Sequence, residues 1–203
     1  MKYLICILLA YLIGSLSPSA LVAKIKCKDL KKEGSGNLGA TNTALVIGRY
    51  YGLLVMILDI FKGFLVMKIS SRLVPGIKWF ALLSGLFAII GHCFPFYLKF
   101  QGGKGLATFA GIVLTYNPAL FLFLLVTGVI IMLIANSSAA LVYYVALVFP
   151  IYVIITESSI PTIVVCIIIS LFMMIRFIPN LKKAINGQEL KSRDFLKRTK
   201  SEQ

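Results

Sequence analysis

Acidic side chains are scarce in this 203-residue chain: Asp and Glu together number 7, against 21 Lys and Arg, and there is one His and one Trp. So few carboxylates and imidazoles leave little from which to build a metal centre or a carboxylate dyad. Charge of either sign is also sparse, at 14% of residues, where a soluble domain carries about 25%. The 4 cysteines, Cys6, Cys27, Cys93 and Cys166, stand singly with no Cys-x-x-Cys pair, a spacing that favours neither a disulfide framework nor a zinc site. What the chain has in abundance is apolar side chains, 59% of residues, with a mean hydropathy of +0.94. A soluble fold of this length cannot hide that much apolar surface, so lipid is the expected solvent for most of it.

The fold class expected is an all-α polytopic membrane protein with about seven transmembrane helices. The apolar runs lie near residues 3–23, 51–70, 78–91, 105–116, 119–135, 138–156 and 160–178, the third and fourth being short for a bilayer of about 30 Å. The first run follows Lys2 and ends among small residues, as a signal peptide does, but six more runs follow and an uncleaved helix is the expectation. Placing the N-terminus outside and the C-terminus in the cytoplasm puts sixteen of the 21 cations in residues 24–50, 92–104, 136–138 and the tail from 176. The opposite side keeps Lys2, Lys68, Arg72 and Lys78, and Lys62 falls within a span. That asymmetry follows the positive-inside rule and accounts for the formal charge of +14 without nucleic acid, for which no basic stripe with interleaved aromatics is present. One membrane-embedded domain over residues 1–203 is expected, with a short basic tail from about 179 that suits anionic lipid.

The polar segments all fall on the inner side. Gly34-Ser35-Gly36-Asn37-Leu38-Gly39-Ala40-Thr41-Asn42 combines glycine with small polar residues, which suits either backbone amides converging on an oxyanion or a plain flexible loop. Gly91 to Thr108 contains His92 and ends in Gly102-Gly103-Lys104-Gly105 directly before an apolar run, pairing backbone donors with a cation at a helix start. It does not match Gly-x-x-x-x-Gly-Lys-Ser/Thr, so ATP is not implied. His92 lacks the acid that a His-x-x-x-x-Asp acyltransferase dyad needs, position 97 being Tyr, and reads as a structural histidine held by a hydrogen bond. Asp59 and Lys62 share a helical face and are expected to pair.

Taken together, these segments resemble the acyl-phosphate:glycerol-3-phosphate acyltransferase family of bacterial membranes, PlsY, over nearly the whole chain. Gly34 to Asn42 resembles its Gly-Ser-Gly-Asn-x-Gly-Ala-Thr-Asn motif, Gly91 to Thr108 its Gly-His-x-Phe-Pro and Gly-Gly-Lys-Gly-x-Ala-Thr motif, and Asp59, Lys62 and Gly63 its Asp-x-x-Lys-Gly. The resemblance implies transfer of an acyl group from acyl phosphate to glycerol 3-phosphate, giving lysophosphatidic acid and phosphate in phospholipid synthesis, with no cofactor. It implies that Ser35 contacts the acceptor and Lys104 neutralises phosphate charge. Gly36, Asn37, Gly39, Thr41, Asn42, Gly102, Gly103 and Gly105 would shape the phosphate site, with His92 and Thr108 in the same substrate-binding set and Asn180 closing it from the tail. No Ser-His or Cys-His pairing offers a covalent route, so direct transfer is expected.

This chain departs from the family pattern on the acceptor side. Leu45 stands where the first motif has Arg, Phe177 where the third has His, and Leu181, Lys182 and Lys183 where an Arg is expected, although Gly187 and Glu189 keep its closing Gly-x-Glu. Arg49, Lys182 or Lys183 are candidate substitutes, a Lys lacking the bidentate fork of Arg. Two other readings therefore stand beside the first: a paralogue acylating a different acceptor, and a non-enzymatic lipid- or phosphate-binding membrane protein.

Overall fold

The computed structural model describes residues 1–188, and among these it has nine α-helices and one 3-10 turn. The helices are α1 (Lys2–Ser15), α2 (Pro18–Ile25), α3 (Ala40–Val46), α4 (Arg49–Leu73), α5 (Lys78–Cys93), α6 (Leu106–Tyr116), α7 (Pro118–Ala135), α8 (Ser138–Thr156) and α9 (Ile160–Ile185), with the 3-10 turn at Phe96–Leu98. They gather into two compact units, Met1–Asn117 and Pro118–Gln203. Glu189 and the tail cations from Lys191 onward lie outside the described residues.

In the first unit α4 is the hub, packing on α1, α3, α5 and α6, while α1 lies along α5. These helices meet backbone to backbone. A Cβ on Gly14 of α1 would strike the Ala88 carbonyl of α5, and one on Gly91 of α5 would strike the Tyr11 carbonyl. On the other side of the hub, Gly63 of α4 abuts the Thr108 carbonyl and Gly111 of α6 abuts that of Ile60. Small residues are how helices approach closely where lipid supplies no hydrophobic drive between them. In the second unit α7 packs on α8 and α8 on α9. Tyr144 and Thr127 join hydroxyls at 2.8 Å, and Tyr143 donates to the Met174 carbonyl at 3.1 Å.

Five stretches are long and apolar enough to cross a membrane: Lys2–Ile25, Lys78–Leu98, Pro118–Ala135, Ser138–Thr156 and Ile160–Ile185. Large apolar side chains such as Leu122, Ile134 and Ile155 point outward from them, as lipid contact requires. The other two expected spans differ in kind. α6 has 11 residues, about 16 Å of helix. α4 has the length, 25 residues, but carries Asp59, Lys62, Lys68 and Arg72.

Two expected boundaries are corrected. The first span is not one helix: α1 ends at Ser15 and α2 begins at Pro18, because Pro18 has no N–H and forces Ser17 out of helical geometry. Ser17, at φ −109° and ψ 95°, caps α2 through its hydroxyl, which accepts from the Ala20 N–H at 3.3 Å. At the far end the last helix does not stop at 178. It runs through Pro179, giving up one backbone bond, and stops at Ile185, where Gly187 turns left-handed at φ 67°. Asn180 is thus a helical residue and not part of a tail.

Candidate active site

The glycine-rich segment is fastened by Asn42. This residue of α3 is wholly buried and donates from Nδ2 to the Leu30 carbonyl at 2.9 Å and the Glu33 carbonyl at 3.1 Å, while its Oδ1 accepts from the Ser35 N–H at 2.6 Å. Gly34 and Gly36 flank Ser35 at φ 61° and 73°, a region that side chains with a Cβ rarely enter. The outcome is a stiff arch that presents Ser35 and Thr41 to the outside, both exposed, with Asn37 half-buried between them.

The second segment folds back onto the end of its own helix. Gly102 donates to the Cys93 carbonyl at 3.0 Å and Gly103 to the His92 carbonyl at 3.1 Å. Gly103 has no room for a side chain, because a Cβ there would meet His92 Nε2 and would lie 2.6 Å from the Leu38 carbonyl. That contact joins the two segments, and Lys31 adds a second tie, donating from Nζ to the Leu98 carbonyl and to Gln101 Oε1, each at 3.2 Å. Leu98 also packs on the small apolar cluster of Ala23, Leu30 and Leu38. Lys104 follows, half-buried, and Gly105 caps α6 at φ 89°. Thr108 is fully buried in the first turn of α6.

The amides of Ser35, Gly36, Gly39, Gly102 and Gly103 each donate to an acceptor within the chain. In these positions glycine serves close approach and left-handed turns more than anion donation. Asn42 likewise uses its side chain on the arch. Asn180 and Phe177 lie on α9 of the second unit, Asn180 half-buried and Phe177 buried. Leu45 is half-buried near the end of α3, and Arg49, whose guanidinium stands 5.3 Å from the Tyr50 ring, opens α4 after Gly48.

Beneath the joined segments lies a buried polar cluster. Lys62 Nζ reaches Asp59 Oδ1 at 2.8 Å, His92 Nδ1 at 2.7 Å and the Leu16 carbonyl at 2.9 Å. The pairing of Asp59 with Lys62 was legible from their spacing; the two further partners of Lys62 were not. Tyr97, also outside the sequence reading, bonds both sides of the α1–α2 break: its hydroxyl donates to the Ser15 carbonyl at 2.8 Å and accepts from the Ser17 N–H at 3.0 Å. Tyr11 returns the favour to the second segment, donating to the Phe94 carbonyl at 2.9 Å. Among the described residues no group of three or more His, Cys, Asp and Glu is arranged to hold a metal ion.

Comparison with known proteins follows the same two segments. The profile described as Glycerol-3-phosphate acyltransferase matches residues 4–187. Proteins of that name from Staphylococcus aureus strains bovine RF122 / ET3-1 and JH9 are each 39% identical over 204 residues, covering 94% of this chain and 98% of theirs. The crystal structure of PlsY (YgiH), an integral membrane glycerol 3-phosphate acyltransferase, in its glycerol 3-phosphate form superposes with a TM-score of 0.88 at 29% identity, covering 94% of this chain and 96% of that one. Its lysophosphatidic acid form gives 0.86, covering 94% and 95%. A match of this extent, running through both anchored segments and every helix from α1 to α9, means that the chain belongs to the glycerol-3-phosphate acyltransferase family.

Proposed function

We propose that this protein transfers an acyl group from acyl phosphate to the 1-hydroxyl of glycerol 3-phosphate, at the cytoplasmic face of a bacterial membrane. The hydroxyl oxygen forms the ester bond to the acyl carbon as the bond from that carbon to the phosphate oxygen breaks. The hydroxyl proton leaves with the phosphate, so no protein base is required. Acyl phosphate is already activated, and positioning with charge stabilisation carries the rate. Ser35 contacts the acceptor and Lys104 neutralises the phosphate charge of donor and leaving group. Thr41, Asn37 and Gly105 complete the substrate set of this unit, whereas Asn42, Gly102 and Gly103 hold its shape.

The observation that supports this reading is the junction of the two family segments, with Gly103 against His92 and the Leu38 carbonyl and Lys31 bonded across to Leu98 and Gln101. Family membership supplies the reaction and the names of the two crystal forms support acceptor and product. We further read the chain as one working domain with seven spans, the N-terminus outside. α4 crosses with its charges answered inside the protein, and α6 crosses as a short helix shielded by α4 and α5.

The test is phosphate release from palmitoyl phosphate by the purified protein in lipid, with and without glycerol 3-phosphate, beside Lys104→Ala. Acceptor-dependent release with lysophosphatidic acid formed, lowered about a hundredfold or more in the variant, is expected. Release that ignores glycerol 3-phosphate but answers to another polyol phosphate would establish the second reading, a changed acceptor, which the Leu45 and Phe177 departures favour. Failure with every acceptor would leave a binding protein.

A further inference from the structure

Three partners surround the buried Lys62 ammonium. Its Nζ hydrogen-bonds His92 Nδ1 at 2.7 Å and the Leu16 carbonyl at 2.9 Å, and it stands 2.8 Å from Asp59 Oδ1 as an ion pair. With Lys62 as an ammonium, which only donates, His92 Nδ1 at 2.7 Å would accept and the imidazole proton would sit on Nε2. Moving the cluster's proton from ammonium to imidazole is opposed by the intrinsic basicities, which differ by about four pKa units in favour of Lys. Asp59 Oδ1, 3.4 Å from Nδ1, neutralises the ammonium at membrane depth, where a lone charge is costly. The opposite edge of the ring, Nε2, is what closes the space at Gly103. Gly103 in turn is bonded to the His92 carbonyl and directly precedes Lys104.

We propose that Lys62 is a positioning residue for acyl transfer: with Asp59 it locks His92 as the neutral Nε2–H tautomer, and the locked ring sets the backbone that presents Lys104. Through the Leu16 carbonyl the same ammonium ties this lock to the α1–α2 break. The catalytic part of the inference rests on the acyltransferase reading; the tautomer does not. A ring free to rotate about its bonds would let Gly103 shift, and displacement of a charged group by an ångström is enough to cost about a hundredfold in rate.

The sequence contains 1 His, so histidine labelled with 15N reports this ring alone. In full-length protein in lipid bilayers the spectrum is expected to show Nδ1 unprotonated and Nε2 protonated, and Lys62→Met to convert it to a mixture of tautomers. In that variant kcat should fall about tenfold or more while KM for glycerol 3-phosphate stays within about twofold. An imidazolium or an Nδ1–H ring in the unmodified protein would overturn the lock. So would an unchanged ring spectrum, or unchanged kcat, in folded Lys62→Met. Should Lys62→Met not fold, the unmodified spectrum still decides the tautomer, and Asp59→Asn, which keeps an oxygen for Lys62, decides the rest. That variant removes the charge that answers the ammonium and is expected to give mixed tautomers and a lowered kcat, and an unchanged ring with unchanged kcat there would overturn the lock. An inactive unmodified protein with the expected ring would refute the acyltransferase reading and leave the tautomer standing.

Discussion

Asn42 answers three backbone groups with one amide, and no other side chain type reproduces that set. Asn42→Ala would leave the Ser35 N–H and the Leu30 and Glu33 carbonyls without it, at about 1–3 kcal/mol for each group that stays buried. Asn42→Asp keeps an acceptor for Ser35 but turns a negative oxygen toward two carbonyls, so it should stabilise no better than Ala. Thermal unfolding in detergent checks both, and melting like the unmodified protein would mean the arch is held by something else. The acceptor side makes a second residue-scale prediction. Loss of an Arg–phosphate contact costs about 1.5–3 kcal/mol, so Leu45→Arg with Phe177→His should lower KM for glycerol 3-phosphate more than it raises kcat. A rise in KM would show a site rebuilt around other residues. The motif letters were legible in the sequence at this scale, but not the direction in which each polar atom points: Asn42 reads as a ligand contact until the partners of its amide are known.

The close crossing of α4 and α6 depends on two glycines whose missing Cβ atoms leave room for a carbonyl. Gly63→Ala should therefore separate the helices and destabilise by about 1–3 kcal/mol. Gly128→Ala on α7 is the control: its nearest neighbours are side-chain atoms of Leu141 and Val145 at 3.5 Å and beyond, and helix propensity should favour it by up to about 1 kcal/mol. The two apparent Tm values should move in opposite directions, and equal shifts would sink the crossing argument. Hydropathy located the five long apolar stretches at this scale because the lipid-facing majority of side chains dominates a sliding sum. It missed the break before Pro18, which is local, and the passage of α9 through Pro179. A proline interrupts one hydrogen bond but does not by itself oblige a long helix to end.

For the whole molecule, cation asymmetry gives an orientation that the thiols can test. Cys27 is exposed in the basic segment between α2 and α3, whereas Cys6, Cys93 and Cys166 are buried. A maleimide that cannot cross membranes should label Cys27 in inverted vesicles and spare it in intact cells. Labelling in intact cells would reverse the topology. The all-helical class and the five long apolar stretches were readable from composition because bilayer thickness fixes their length. The cluster that joins them was not, since Lys62, Tyr97 and Leu16 are far apart in the chain and only one of them belongs to a family motif. Those distances also impose a timetable. The carbonyls of Ser15 and Leu16 and the N–H of Ser17 are made early, yet the groups that answer them come 46 residues later from Lys62 and 80 to 82 residues later from Tyr97. While the ribosome is still making α4 and α5, the first helix waits in the bilayer with an open joint. Its last bonds form only once Tyr97 has been made, so the joint between α1 and α2 is completed after the synthesis of α4 and α5.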